Sequence, residues 1–409
     1  MFFILKPLLR RPLMPLLVIL QVALACAIAT NALFLLQQKL APILTPNGVS
    51  NPAHLLVLSN VALQGQPPTA ARVRGIQAEL RTVPGVEQTT YAVSFPMVAQ
   101  NKVTGEVQGA LGRGHVNTAL YVGDNLLQTL GLRVVAGRAF SAAENTATLG
   151  NNMGFNSPTP VIVTRALAKR LYPGGHAVGQ MLYLGHKRDH PHPVVGVVAH
   201  LMRNVLTSDT GELGYAALAP GVANAWPIPL FAARVKGADT ARTCKALTAV
   251  LQRNLGAKLM PSETIACNTY AHLRDKLLAQ PRAAVWLLAG VTLIVLIVTL
   301  TGIMGLTGYW VQQRTHGIGI RRALGAKRRD ILRELLIENL LVVGVGMLVG
   351  LAAAYGINLW LMTHYELMRL PWTYLPVGAV LLLVLGQLAA FTPALRASRV
   401  PPIVATRAL

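Results

Sequence analysis

Seven basic side chains crowd one stretch of the sequence: Arg314, Arg321, Arg322, Lys327, Arg328, Arg329 and Arg333. Apolar residues interleave with them. Ile320, Ala323 and Leu324 fall on one helical face and the arginines on the other. Such a stretch does no covalent chemistry; it can lie on anionic lipid headgroups or dock a partner. Gly325 is placed to end the helix, and Ile331, Leu332 and Leu335 begin a new apolar stripe. Glu334 and Glu338 share the following helical face. They are available to Arg333, to the stretch's own arginines, to a dimer interface, or to hydrated headgroups.

A second cluster is His186, His190, His192 and His200. Zinc sites use histidine, usually with cysteine or carboxylate partners. Asp189 is the sole nearby acid, and Pro191 and Pro193 favour an extended, turn-like loop. An exposed loop between strands is the simpler reading, and no metal site is expected. Cys244 and Cys267 can bridge if their Cα atoms come within about 7 Å; two buried free thiols are the alternative. Cys26 reads as a small apolar residue. The sequence has no Gly-x-x-x-x-Gly-Lys-[Ser/Thr] phosphate loop, Gly325-Ala326-Lys327 being too short. It shows no convincing Ser/His/Asp or Cys/His set either. No catalytic or cofactor-binding residue is assigned, and an ATP site is not expected on this chain.

These groups need elements to hold them. The 409 residues are 53% hydrophobic and 13% charged, with three cysteines and a net charge of +22. That hydrophobicity excludes a disordered chain, and so few cysteines exclude a disulfide-dense miniprotein. A nucleic-acid-binding protein and a membrane protein with basic cytoplasmic loops both fit until the charges are mapped. Stretches 13–38, 283–313, 339–363 and 370–395 carry no Asp, Glu, Lys or Arg. Each exceeds the roughly 20 residues that cross a bilayer as a helix. The first follows Lys6, Arg10 and Arg11, as a signal peptide would, but its apolar run continues past Cys26 to Leu36 and reads as an uncleaved helix.

Basic residues flank the spans unevenly. Lys6, Arg10 and Arg11 precede the first span, the seven above separate the second and third, and Arg396, Arg399 and Arg407 follow the fourth. Arg369 stands alone between the third and fourth. The positive-inside rule puts both termini (1–12 and 396–409) and the 314–333 loop in the cytoplasm. The expected order is helix 13–38, outer domain 39–282, helix 283–310, cytoplasmic segment 311–332, helix 333–362, outer loop 363–372 and helix 373–395. His364 and Glu366 sit at the outer end and need no special role.

The outer block reads as α+β. Strands are expected at His54–Leu58, Thr89–Val93, Leu230–Val235 and Glu263–Tyr270, with helices at Thr69–Arg81 and Thr240–Asn254. Two such strand–helix–strand units can pair into one sheet with its helices on one face. The stretch near 100–225, richer in Gly, Asn and Pro, adds strands at Val161–Val163 and Val194–Val198 and is expected as a second lobe. The outer block carries a net +12.

The wording of the basic stretch narrows its meaning. Ile318-Gly319-Ile320-Arg321-Arg322-Ala323-Leu324-Gly325-Ala326, followed by Arg329-Asp330-Ile331-Leu332, resembles the signature of the MacB/FtsX-type ABC transporter permeases. Leu336-Ile337-Glu338-Asn339 is similar to the family's next element, and Pro393-Ala394-Leu395-Arg396-Ala397-Ser398-Arg399-Val400-Pro401 to its terminal motif. Gly137-Arg138-Ala139-Phe140, Val161-Ile162-Val163-Thr164, Leu167-Ala168-Lys169-Arg170-Leu171-Tyr172 and Val195-Gly196-Val197-Val198 resemble the MacB periplasmic core domain.

The resemblance implies four transmembrane helices, with a large two-lobed extracytoplasmic domain inserted between helices 1 and 2, in a bacterial inner membrane. It implies a two-fold dimer with a second permease copy or homologue. It also implies a separate ABC-type ATPase, which carries the ATP and magnesium, and leaves room for a periplasmic adaptor; nucleic acid has no part. Gly317, Ile318, Gly319, Ile320, Arg321, Arg322, Ala323, Leu324 and Gly325 would couple to that ATPase, with Ile318, Ile320 and Leu324 as apolar contacts. The work would be efflux of a peptide, lipoprotein or hydrophobic small molecule, or FtsX-like control of an outer enzyme. A membrane-anchored enzyme or receptor without an ATPase fits least. This chain departs from the family at Gly317, where an acid is usual, at His316, where a base is frequent, and at Lys327, which forfeits a hydroxyl N-cap worth about 1 kcal/mol.

Overall fold

The computed structural model describes residues 13–98, 101–109, 112, 114–150, 157–185, 190–204, 206, 213–237, 239–365 and 374–399. Lys6, Arg10, Arg11, His186, Asp189, Glu366, Arg369 and Arg407 lie outside the described residues, as does the terminal motif beyond Arg399. The chain divides into two compact units, Ala41–Pro281 and the remainder.

The elements begin with α1 (Leu13–Leu44), β1 (Leu55–Ser59), α2 (Ala70–Arg81), β2 (Val86–Ala92), β3 (Thr104–Gly109) and β4 (Val116–Gly123). Next come α3 (Leu126–Leu130), β5 (Val134–Gly137), α4 (Ala142–Thr146), β6 (Thr148–Leu149), β7 (Val161–Thr164), α5 (Arg165–Leu171), β8 (Met181–Leu184) and β9 (Pro191–Val198). Then follow β10 (Ala216–Pro220), β11 (Val222–Ala223), β12 (Leu230–Val235), α6 (Thr240–Leu255) and β13 (Ala266–Thr269). Three long helices finish the chain: α7 (Tyr270–Ala323), α8 (Arg328–Tyr365) and α9 (Tyr374–Ser398).

Strands β2, β12, β1 and β13 lie side by side in that order. The two expected strand–helix–strand units therefore share one sheet. Thr69 caps α2 by accepting from the Arg72 backbone N–H, and Asp239 caps α6 by accepting from that of Arg242. Strand β1 is buried throughout. Its period of two sends Leu56 and Leu58 into a core with Val73, Ile76 and Leu80 of α2 and Leu247 and Leu251 of α6. Leu55 and Val57 face a second core that holds Leu126, Leu127 and Leu130 of α3. Helices thus cover both faces, not one as expected, because strands apolar on both sides need two covers.

The 100–225 stretch continues the same sheet. Strands β4, β3, β8, β9, β7 and β10 follow one another, and β10 pairs in parallel with β4 to close a ring. One aligned pair, Ala92 with Gly123, joins β2 to this ring. A Cβ at Gly123 would stand 2.3 Å from the Tyr91 carbonyl oxygen, so the junction requires glycine. Beside it Asp124 is buried and accepts from Gln77 Nε2 at 2.8 Å and from the Tyr91 N–H at 2.7 Å. Burial pushes its carboxyl upward against the pull of those donors.

The second unit is helical. Helices α1, α7, α8 and α9 are each long and apolar enough to cross a membrane. Val22, Ile303, Val343 and Ala390, one from each helix, meet in a shared core. Trp286, Leu287 and Ile294 of α7 are exposed, as side chains facing lipid would be. Helices α1 and α8 meet through small residues. A Cβ added at Gly350 would stand 2.6 Å from both the Ala23 carbonyl oxygen and the Cys26 Cβ. One turn away, a Cβ at Gly346 would stand 2.9 Å from the Ile19 carbonyl oxygen. This Gly-x-x-x-Gly seam lets the backbones approach, and Asn31 extends it by donating to the Ala354 carbonyl at 3.3 Å.

Candidate docking site at the α7–α8 turn

The segment 311–332, expected as separate from the second span, is not one element. Helix α7 runs unbroken through its first part to Ala323, and α8 begins at Arg328. Nothing between Val311 and Ala323 breaks a helix: there is no proline, and Thr315 bonds back to the Val311 carbonyl at 3.1 Å. The helix stops in a Schellman turn. Gly325, at φ +101°, donates to the Arg322 carbonyl at 3.2 Å, and Ala326 donates to that of Arg321 at 3.0 Å. Gly325 thus ends the helix as expected, although that helix is not a short one.

Helix α8 starts without the hydroxyl cap that Lys327 displaces. Asp330 supplies the other half of a capping box, its carboxylate accepting from the Lys327 backbone N–H at 3.1 Å. Two ion pairs then brace the helical hairpin. Arg321 contacts both Glu334 oxygens, at 2.8 and 2.9 Å. Arg314 contacts both Glu338 oxygens, at 3.0 and 2.7 Å, and its guanidinium lies 4.6 Å from the Trp310 ring centroid. Of the partners open to the two glutamates, the structure selects arginines of the stretch itself. Beneath them Ile318 packs with Val311, Ile331 and Ala397.

The three apolar residues expected to face a partner therefore separate. Leu324 is 83% exposed at the tip and Ile320 45% exposed, but Ile318 is only 7% exposed. Ile318 is corrected to an internal packing residue. At ~100° per residue, positions two apart on a helix point in nearly opposite directions. Ala323, Gly317 and Gly325 are exposed with Leu324, and Gly319 is buried beside Ile318. The tip therefore presents leucine, isoleucine and alanine, with Arg321 beside them held by Glu334.

Sites expected elsewhere resolve as follows. Cys244 and Cys267 are joined by a disulfide, with Cα atoms 5.7 Å apart. Strand β9 takes in Pro191 to Pro193, so the expected loop there is part of a strand, with Leu182 of β8 opposite His192. His192 is buried, its Nδ1 3.2 Å from the Thr159 carbonyl, and burial lowers its pKa. Among the described residues no group of three or more His, Cys, Asp or Glu could hold a metal. Arg138, in a motif quoted above, contacts both Glu144 oxygens at 2.7 and 2.8 Å. That contact holds the Glu144 carboxyl down at about 2.

Two family models match the chain, and they fall on its two units. The MacB-like periplasmic core domain matches residues 34–250, more than half of the chain, and the FtsX-like permease C-terminal domain matches residues 289–402. The chain belongs to the MacB/FtsX-type ABC permeases. This MacB/FtsX-type permease is 28% identical over 294 residues to the macrolide export ATP-binding/permease protein MacB of Chromobacterium violaceum, covering 69% of this chain and 42% of that protein. It is 25% identical over 296 residues to the uncharacterized ABC transporter permease YknZ of Bacillus subtilis, covering 70% of this chain and 68% of that one. The chain thus spans about four-tenths of the length of the MacB relative. Among solved structures, the periplasmic region of MacB from Actinobacillus actinomycetemcomitans aligns with a TM-score of 0.37 and 12% identity, over 58% of this chain and 97% of that one. The permease is a membrane protein with a large extracytoplasmic domain.

Sequence reasoning did not find the Trp310–Arg314 stack or the Asp330 cap. Both had signals. Trp310 and Arg314 are four apart on one helix, and Asp330 lies three after Lys327, where a capping box places its acid.

Proposed function

We propose that this permease subunit couples ATP hydrolysis by an ABC-type ATPase to movement of its extracytoplasmic domain, and so to export of a peptide, lipoprotein or hydrophobic small molecule. The carrying observation is the α7–α8 tip: Leu324 stands 83% exposed on a turn braced by Arg321–Glu334 and Arg314–Glu338. A bare apolar tip on a braced hairpin transmits a push without collapsing. In this reading both termini and the tip face the cytoplasm, the chain makes four passes, and a second permease copy or homologue completes a two-fold assembly. ATP and magnesium are held by the ATPase.

Co-purification from native membranes tests it. An ABC-type ATPase should come down with the permease, and its hydrolysis rate should depend on the permease. If no nucleotide-binding subunit co-purifies and the candidate ATPase ignores the permease, the coupling reading fails.

A further inference from the structure

We propose that the Ala41–Pro281 unit carries a cleft for a small anionic amphiphile, one carboxylate or phosphate monoester on an apolar body, with Arg165 and Lys169 holding the anion. The cleft encloses about 750 Å³ between β5, α5, the 172–178 turn and β9. That lies within the roughly 300–1,000 Å³ of ligand sites. The proposal does not rest on the docking reading, because every lining residue belongs to the outer unit.

The lining divides by chemistry. Its body is apolar: Val135 and Val178 are 38% and 39% exposed, in a unit whose other valines are mostly buried. Tyr172 is a fixed wall, because its hydroxyl is engaged in donating to the Met181 carbonyl at 3.0 Å. Among the described residues the charged lining is wholly cationic. Arg165 and Lys169 stand four apart on α5, on one helical face, and both are exposed. Among the described residues neither has a carboxylate within ion-pair distance, whereas nearby Arg138 is engaged by Glu144. A second cleft of about 430 Å³ borders the same two side chains and adds Arg170 and His200. Cations left unmatched at the rim of an apolar cleft are complementary to one anionic group on an apolar chain. A neutral amphiphile leaves them unused, and a cationic one is repelled.

The test uses the full permease in phosphatidylcholine nanodiscs and a diazirine-bearing dodecanoate as photoaffinity probe, with labelled peptides mapped by mass spectrometry. Labelling should fall on the peptides containing Val135 and Val178. Dodecanoate or dodecyl phosphate should compete it away, the stronger competitor naming the headgroup, while dodecanol and dodecyltrimethylammonium should not. Arg165→Gln with Lys169→Gln should weaken labelling by roughly tenfold or more, as loss of a charge-assisted hydrogen bond implies. Val178→Glu should weaken it too, and Arg72→Gln, a surface cation on α2, should leave it unchanged. Labelling confined to the membrane helices would overturn the proposal. So would equal competition by dodecanol, or equal losses in Arg72→Gln and the double variant.

Discussion

Arg314 of α7 holds both carboxylate oxygens of Glu338 on α8, at 3.0 and 2.7 Å, with 2% of the Glu338 side chain exposed. A buried carboxylate has no water to fall back on. Arg314→Ala should therefore destabilise the helical unit by about 3–5 kcal/mol. Arg314→Met with Glu338→Leu, which removes both charges, should recover much of that loss. Thermal unfolding in nanodiscs reads both. Equal losses in the single and double variants would show that side-chain packing, not the stranded charge, sets the cost.

Leu324→Asp should leave stability within about 0.5 kcal/mol of the parent, because the side chain is 83% exposed. In the proposed complex it should uncouple ATP hydrolysis from export. Ile318→Asp should behave differently and unfold the base of the hairpin, since it buries an unpaired charge. Normal coupling in Leu324→Asp membranes would remove the tip from the mechanism.

Gly350→Leu places side-chain carbon where the Ala23 carbonyl and Cys26 already stand. The expected cost is about 1–3 kcal/mol, read as a lowered unfolding midpoint. Gly356→Leu lies on the same helix with nothing within 4 Å and should cost far less. Comparable losses would mean that glycine is needed for something other than the α1 contact.

Removing the Cys244–Cys267 bridge by paired serine substitution should cost the outer unit about 2–4 kcal/mol. Urea unfolding followed by tryptophan fluorescence measures it. An unchanged midpoint under non-reducing conditions would leave the bridge without a stabilising role.

Glu144 carries a pH signature. Its carboxyl is held at about 2 against an ordinary 4.5, chiefly by hydrogen bonding from Arg138. A depressed carboxyl stabilises the fold above its unfolded value. That contribution fades as pH falls through the folded one, so the loss spans roughly pH 4.5 down to 2. Amide protection factors at Ala142–Thr146, with the intrinsic exchange rate at each pH divided out, should fall across that window in the parent and should be low throughout in Glu144→Gln. Superimposed profiles would sink the assignment.

The spans were legible because a charge inside a bilayer is expensive, so four uncharged stretches stand out in sequence. Helices α2 and α6 were legible from apolar spacing. The sharing of one sheet by β1, β2, β12 and β13 followed from two similar units. The second helical cover was not visible, since α3 is five residues long and short apolar runs carry no period. Which arginine meets which glutamate was hidden for a different reason. Arg314 and Glu338 are 24 residues apart, and their register depends on how Gly325 and Asp330 shape the turn between them.

Strand β13 passes into α7 with no residue between Thr269 and Tyr270. It is four residues long, pairs among the described residues only with β1, and carries Cys267. By backbone hydrogen bonds alone, the head of α7 is anchored through this short ribbon. The disulfide adds a covalent link from that ribbon to the 16-residue α6, whose apolar face packs on the sheet. Cys244 and Cys267 thus make the root of α7 part of the sheet-and-helix layer rather than a strand held by hydrogen bonds alone.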